Sequence, residues 1–220
     1  GSLVILGNVS STDQLVITVA TGASLSLAGD SDGGEPLKFV ADGVSTLTLN
    51  GSEAQALAGI YNSGTDNTGK MVLSGDGTKT FAEAVGGVQK FGLITNNADA
   101  TTVYDTTVAT VTYTNAGTST FTGVATITTI NNTGLITFTA TPLVDTINNS
   151  GTINLVSEID NEGGDGDAAI IMTTADSVVN FNASTAKAFD MVVTAATDGF
   201  GTLNFIDSAA GAASTNTTAG

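Results

Sequence analysis

The densest run of chemistry-bearing side chains in the sequence is Asp160-Asn161-Glu162-Gly163-Gly164-Asp165-Gly166-Asp167. Calcium takes carboxylate and carbonyl oxygens, and glycines let a backbone curl around the ion, so Asp160, Glu162, Asp165 and Asp167 form a candidate calcium turn. The segment fits neither the EF-hand loop nor the Gly-Gly-x-Gly-x-Asp nonapeptide. After Gly163-Gly164-Asp165-Gly166 the aspartate position of that nonapeptide falls on Ala168. The same residues also read as an acidic solvated turn between repeats. Asp30-Ser31-Asp32-Gly33-Gly34-Glu35 is a poorer cluster of the same kind, and Asp76-Gly77 reads as a turn.

The chain contains no His and no Cys. That composition excludes Ser-His-Asp and Cys-His nucleophilic catalysis, the usual zinc sites and a disulfide framework. Carboxylate pairs remain available between Glu158 and Asp167, as glycoside cleavage would need. Sugar sites add aromatic platforms and cationic anchors, whereas this chain has no Trp, no Arg and 3 Tyr. The expectation is a protein that is not an enzyme and has no catalytic residues. Val85-Gly86-Gly87-Val88 lacks either phosphate-loop frame. Asn-x-Ser/Thr sequons at Asn8, Asn131, Asn148, Asn182 and Asn216 are what chance gives in a chain rich in Asn and Thr, and Asn131 and Asn148 read better as turn residues.

Acidic residues number 21 against 5 basic ones, for a net charge of -16. Such a surface repels nucleic-acid backbones and anionic lipid and attracts cations, calcium first among them in an extracellular setting. No apolar run is long enough for a membrane-spanning helix, so no membrane insertion is expected of this segment. Hydrophobic residues make up 41% of the chain, too many for a disordered one, and long helix-forming side chains are scarce.

These residues must be positioned by repeats. Leu3-Val4-Ile5-Leu6-Gly7, Leu25-Ser26-Leu27-Ala28-Gly29, Leu47-Thr48-Leu49-Asn50-Gly51 and Met71-Val72-Leu73-Ser74-Gly75 share one pattern, and their closing glycines recur at a nearly constant spacing. Two apolar residues at period two face one side of a strand, and the glycine suits a turn requiring positive φ. A tighter repeat follows: Thr129-Ile130-Asn131-Asn132-Thr133-Gly134 aligns with Thr112 to Gly117 before it and with Thr146 to Gly151 after it, at one and the same shorter interval. Ile94-Thr95-Asn96-Asn97 reads as a degenerate earlier copy, and Ile159-Asp160-Asn161-Glu162-Gly163 as a further turn after a shortened interval.

A unit of this size cannot close its own core and must stack on its neighbours. The prediction is an all-β fold, a parallel β-helix (β-solenoid) with coils of about 17 to 24 residues, occupying 1–207 as one domain. About ten or eleven coils at strand spacing make a rod of about 50 Å. Asn115, Asn132 and Asn149 then form an amide ladder along one edge, and Ile130 and Ile147 stack inside. Ser52 to Tyr61 and Phe81 to Phe91 read as loop or short helical excursions. Strands resume at Val178 to Phe181, Met191 to Val193 and Thr202 to Phe205, and 208–220 reads as a linker or frayed end. The rival architecture is a pair of antiparallel β-sandwiches.

The Asn-x-Gly turns, the Thr- and Ala-rich strands, and fragments such as Val179-Asn180-Phe181-Asn182 and Gly201-Thr202-Leu203-Asn204-Phe205 resemble the passenger regions of bacterial autotransporter surface proteins, closest in flavour to the rickettsial outer-membrane surface antigens. The resemblance covers most of the chain in style and rests on no diagnostic motif. It implies a right-handed parallel β-helix exported to the cell surface, and it marks no functional residue. The expected function is a structural cell-surface protein that self-associates into an extracellular layer or fibre with cation assistance, since open strand edges invite pairing. The alternatives are an adhesin module, whose loops bind a cell-surface ligand, and a carbohydrate-active β-helix.

Overall fold

The computed structural model describes residues 1–10, 15–32, 37–58, 60–156, 159, 168–183 and 191–207. Among them the chain winds through ten coils. The first three carry three strands each: β1 (Ser2–Ile5), β2 (Val9–Ser10) and β3 (Leu15–Val19); β4 (Ser24–Leu27), β5 (Ser31–Asp32) and β6 (Leu37–Ala41); β7 (Thr46–Leu49), β8 (Gln55–Leu57) and β9 (Ile60–Ser63). Seven two-stranded coils follow. They are β10 (Thr68–Leu73) and β11 (Thr78–Phe81), β12 (Phe91–Asn96) and β13 (Thr101–Tyr104), β14 (Val108–Asn115) and β15 (Thr118–Phe121), and β16 (Ala125–Asn132) and β17 (Leu135–Phe138). The last three are β18 (Leu143–Asn149) and β19 (Thr152–Leu155), β20 (Ala169–Met172) and β21 (Val178–Ala183), and β22 (Val192–Ala195) and β23 (Thr202–Asp207).

The first strand of every coil joins one ten-stranded sheet, the second joins another, and β3, β6 and β9 form a third wall. Every strand pairing among the described residues is parallel. The fold is the expected parallel β-solenoid, and antiparallel sandwiches are ruled out. A parallel pair needs a crossover of a dozen residues or more, which a repeat of this length supplies by going once around the rod.

Repeats pair with themselves. Leu3 lies against Leu25, Leu25 against Leu47 and Leu47 against Met71, so the glycine-closed segments stack one on another. The shorter repeat joins Tyr113 to Ile130 and Ile130 to Ile147, and Ile94 aligns with Tyr113 as the degenerate copy predicted. The next partner of Ile147 is Ile170, a longer step, and of the turn proposed at Ile159 to Gly163 only Ile159 lies among the described residues. The longer route leaves Ile159 buried but outside the ladders.

The shortening of the coils has a visible mechanism. In β14 and β16 inward and outward residues alternate until two consecutive outward residues, Val111-Thr112 and Thr128-Thr129, break the phase. A strand that shifts phase turns a corner, so one eight-residue strand spans two walls. The third wall continues into it through the bridges of Tyr61 to Val85 and Val85 to Val108.

Glycines at the first turn serve a purpose other than the expected one. Only Gly75 of that series has positive φ, at 78°. At Gly51 a Cβ would lie 2.6 Å from the Ala28 carbonyl oxygen of the coil before, so close approach of stacked backbones is what requires glycine there. Of the two expected excursions, Ser52 to Tyr61 is corrected: it contains β8 and enters β9 as part of the wall, because Gln55 and Leu57 sit inward at period two. Ala82 to Lys90 does leave the wall, without helix, and keeps two bridges at Val85, to Tyr61 and to Val108.

The interior holds stacked columns. Phe81, Tyr104, Phe121 and Phe138 stack at 5.0, 5.0 and 5.1 Å between ring centroids, the spacing that parallel in-register strands impose. Tyr113 meets Tyr104 and Phe121 edge-on. All 3 tyrosines of the chain are buried: Tyr61, Tyr104 and Tyr113. Burial pushes the phenol of Tyr113 up to about 12 and those of Tyr61 and Tyr104 well above the ordinary value. A raised folded pKa gives stability that is complete below ~10, where the unfolded phenol titrates, and is lost as pH climbs through the folded value. On alkaline titration, tyrosinate absorbance is therefore expected to stay absent past pH ~10 and then rise for the tyrosines together with loss of β circular dichroism. Gradual ionisation at an ordinary phenol pKa would contradict this core.

Candidate functional site

The sequence-predicted metal residues Asp160, Glu162, Asp165 and Asp167 lie outside the described residues, as do Glu158 and Glu35. Among the described residues no group of three or more His, Cys, Asp or Glu side chains is placed to hold a metal ion. The polar chemistry that the structure does assemble is internal. It sits at the corner where each coil turns from the first sheet to the second.

The geometry follows from the alternation. In β16 Ile130 points inward, Asn131 outward and Asn132 inward again, and the same holds for β14 and β18. Asn96, Asn115, Asn132 and Asn149 are paired in register and fully buried or nearly so. Asn96 Nδ2 donates to Asn115 Oδ1 at 2.9 Å, Asn115 Nδ2 to Asn132 Oδ1 at 2.8 Å, and Asn132 Nδ2 to Asn149 Oδ1 at 2.8 Å. The ladder therefore lies inside the rod, which corrects its expected place along an edge. Each amide also reaches turn carbonyls: Asn132 Nδ2 donates to Gly134 O and Thr152 O, while its Oδ1 accepts the Gly134 N–H. The Gly134 carbonyl also accepts the Thr152 N–H at 2.8 Å, so the amide is a second donor to it. A buried polar group left unpaired costs ~1–3 kcal/mol.

The longer earlier coils use longer side chains for the same task. Gln55 accepts the Gly51 N–H at 2.9 Å and donates to Gly29 O at 2.7 Å. Next in its column stands Lys79, whose Nζ donates to Gly51 O, Gly75 O and Gly77 O at 2.9, 2.7 and 2.7 Å. Burial pushes the Lys79 ammonium below the ordinary lysine value, and the carboxylates of Asp99 and Asp76 pull it partly back. Lys79 is 0% exposed, and three carbonyls take its three hydrogens, so it is a clamp on three turns and not a nucleophile. Thr102 follows in the column and donates to Asn96 Oδ1 at 2.8 Å, joining the two columns.

Sequence reasoning missed Gln55 and Lys79. The available signal was local: Lys79 lies two positions before Phe81, at the period of one strand face. A second, outer ladder was also missed: Asn204 Nδ2 donates to Asn180 Oδ1 at 2.8 Å, Asn180 Nδ2 to Asn154 Oδ1 at 2.7 Å, and Asn154 Nδ2 to Thr137 Oγ1 at 3.2 Å.

No family model matches the chain, and no curated protein or solved structure is significantly similar to it. Function therefore rests on the residues themselves.

Two substitutions test the corner. Lys79→Met strands three carbonyls and is expected to cost ~3 kcal/mol or more in urea unfolding. Asn132→Ala is expected to cost ~2–3 kcal/mol, against less than ~1 kcal/mol for Asn131→Ala on the outer surface. Equal effects of the two asparagine substitutions would show that the buried ladder does not hold the turns.

Proposed function

We propose that the chain is a structural element of an extracellular or cell-surface assembly, a rod that associates with further copies into a layer or fibre. The observation that carries this reading is where the polar side chains are spent. Gln55, Lys79 and the asparagines of the corner are used inside the rod to hold turns, which leaves repetition on the outside without a reacting constellation among the described residues. A stack of coils in register repeats the strand rows of its second sheet from coil to coil, which suits lateral repetition better than recognition of one small molecule. The acidic turns supply a place for bridging cations, and the net charge of -16 makes assembly sensitive to them. Export to a bacterial surface is part of the proposal and stems from the resemblance to autotransporter passengers.

A second reading, an adhesin module, is favoured by the excursion from Ala82 to Lys90. It is tied to the coil beneath through Val88 N to Asn62 Oδ1 at 3.3 Å and Ser63 N to the Gln89 carbonyl oxygen at 3.2 Å, yet it holds Val88 80% exposed at its tip. An ordered loop with an exposed apolar tip on a uniform rod is a feature a ligand can grip.

Electron microscopy of the purified chain in millimolar calcium and again in excess chelator separates the readings. Sheets or filaments that dissolve in chelator are the expected outcome. Dispersed rods under both conditions would overturn the assembly reading and favour the adhesin.

A further inference from the structure

We propose that the outward face of the second sheet is a lateral contact surface for a second copy of this chain, the two faces meeting about a two-fold axis. The proposal rests on the assembly reading above and names the surface that it uses. From β11 to β23 two outward rows run along this wall, one from Thr78 to Thr202 and one from Thr80 to Asn204, and every position in them is Thr, Val, Leu or Asn. No charged side chain interrupts either row, in a chain of net charge -16. The acidic residues border the rows without entering them: Asp76, Asp99 and Asp176 sit in the turns two positions ahead of the first row, and Asp105 lies two positions past the second. The outward face of the first sheet differs, since Lys70 and Asp145 lie within its strands.

Charge decides the occupant. An ionic ligand finds no countercharge on this wall. A second copy carries the same strong negative charge and can come close only where like charges are kept away, because acidic groups placed opposite one another repel. The wall is also chemically self-complementary: a threonine hydroxyl and an asparagine amide each donate and accept, so the same surface turned through a two-fold axis satisfies itself. The chain of bonds from Asn204 through Asn180 and Asn154 to Thr137 holds these side chains in place before contact, which lowers the entropic cost of docking. Seven strands at ~4.8 Å make a wall ~29 Å long. One such contact is small beside the interfaces of stable dimers, so the pair is concentration-dependent; a two-fold contact closes on itself, and a layer or fibre uses it together with a further contact elsewhere on the rod.

The test uses sedimentation velocity of the full 220-residue chain over a concentration series, with circular dichroism as the check on folding. Thr120→Glu with Thr137→Glu charges the second-sheet wall, and Thr114→Glu with Thr129→Glu charges the first as a control. Wild type and control are expected to self-associate, and the second-sheet variant to do so ~10-fold more weakly or less. Association of that variant equal to wild type, or equal loss in the control, would overturn this surface while leaving the assembly reading intact. A wild type that stays monomeric throughout would sink both. Since the chain has no Cys, Thr120→Cys carries a unique spin label. Dipolar broadening on assembly at Thr120, and none for the corresponding label at Thr114→Cys, is the expected result even if the glutamate variant fails to fold, and the reverse pattern overturns the proposal.

Discussion

Buried side-chain donors facing the turn carbonyls are the constraint on which the rest of this rod depends. A parallel solenoid satisfies its strand backbone by pairing coil on coil, and at the corner between two walls buried side chains add to that pairing. Lys79 takes the carbonyls of Gly51, Gly75 and Gly77. The asparagines give a second donor to carbonyls that already accept an N–H from the next coil. One buried side chain per coil answers them from the third coil to the eighth: Gln55, Lys79, Asn96, Asn115, Asn132 and Asn149. Side-chain reach varies along this series. Gln and Lys cross the corner in the third and fourth coils and Asn in the fifth to the eighth, where Asn96, Asn115 and Asn132 also bond to the next Asn.

That arrangement fixes how the other residue types are distributed. With polar chemistry confined to one interior corner, the remaining interior is free to stack like on like, as the column from Phe81 to Phe138 does. Register is specified twice, by amide pairing and by ring stacking, and a slip of one residue would expel both from the interior. On the second sheet, from β11 onward, the two outward strand rows are neutral and acidic residues stand in the bends that border them. In the proposed pairing, charge at the bends keeps like-charged rods apart at their borders and the neutral wall is what remains for contact.

Coil length is adjustable without loss of register because the corners absorb the difference. A phase break inside β14 and β16 compresses two walls into one strand, whereas the step from Ile147 to Ile170 is longer and still ends in register. Both keep the inward columns aligned, which is the quantity that packing enforces.

Much of this was legible in the sequence because the period-two pattern and the fixed repeat determine which residues are equivalent. Leu3, Leu25, Leu47 and Met71 were alignable by eye, and so were Asn115, Asn132 and Asn149, and each set is one column of the rod. Sequence alternation even places Asn132 on the face of Ile130, although a polar residue by itself suggests an edge. The roles of Gln55 and Lys79 were decided only by the tertiary structure. The coils around them advance by unequal steps, from Leu47 to Met71, Met71 to Ile94 and Ile94 to Tyr113, and no fixed period carries Lys79 across to the carbonyls of Gly51, Gly75 and Gly77. Equivalence between repeats is a property of spacing along the chain, whereas a lysine's burial depends on which carbonyls the corner brings within reach.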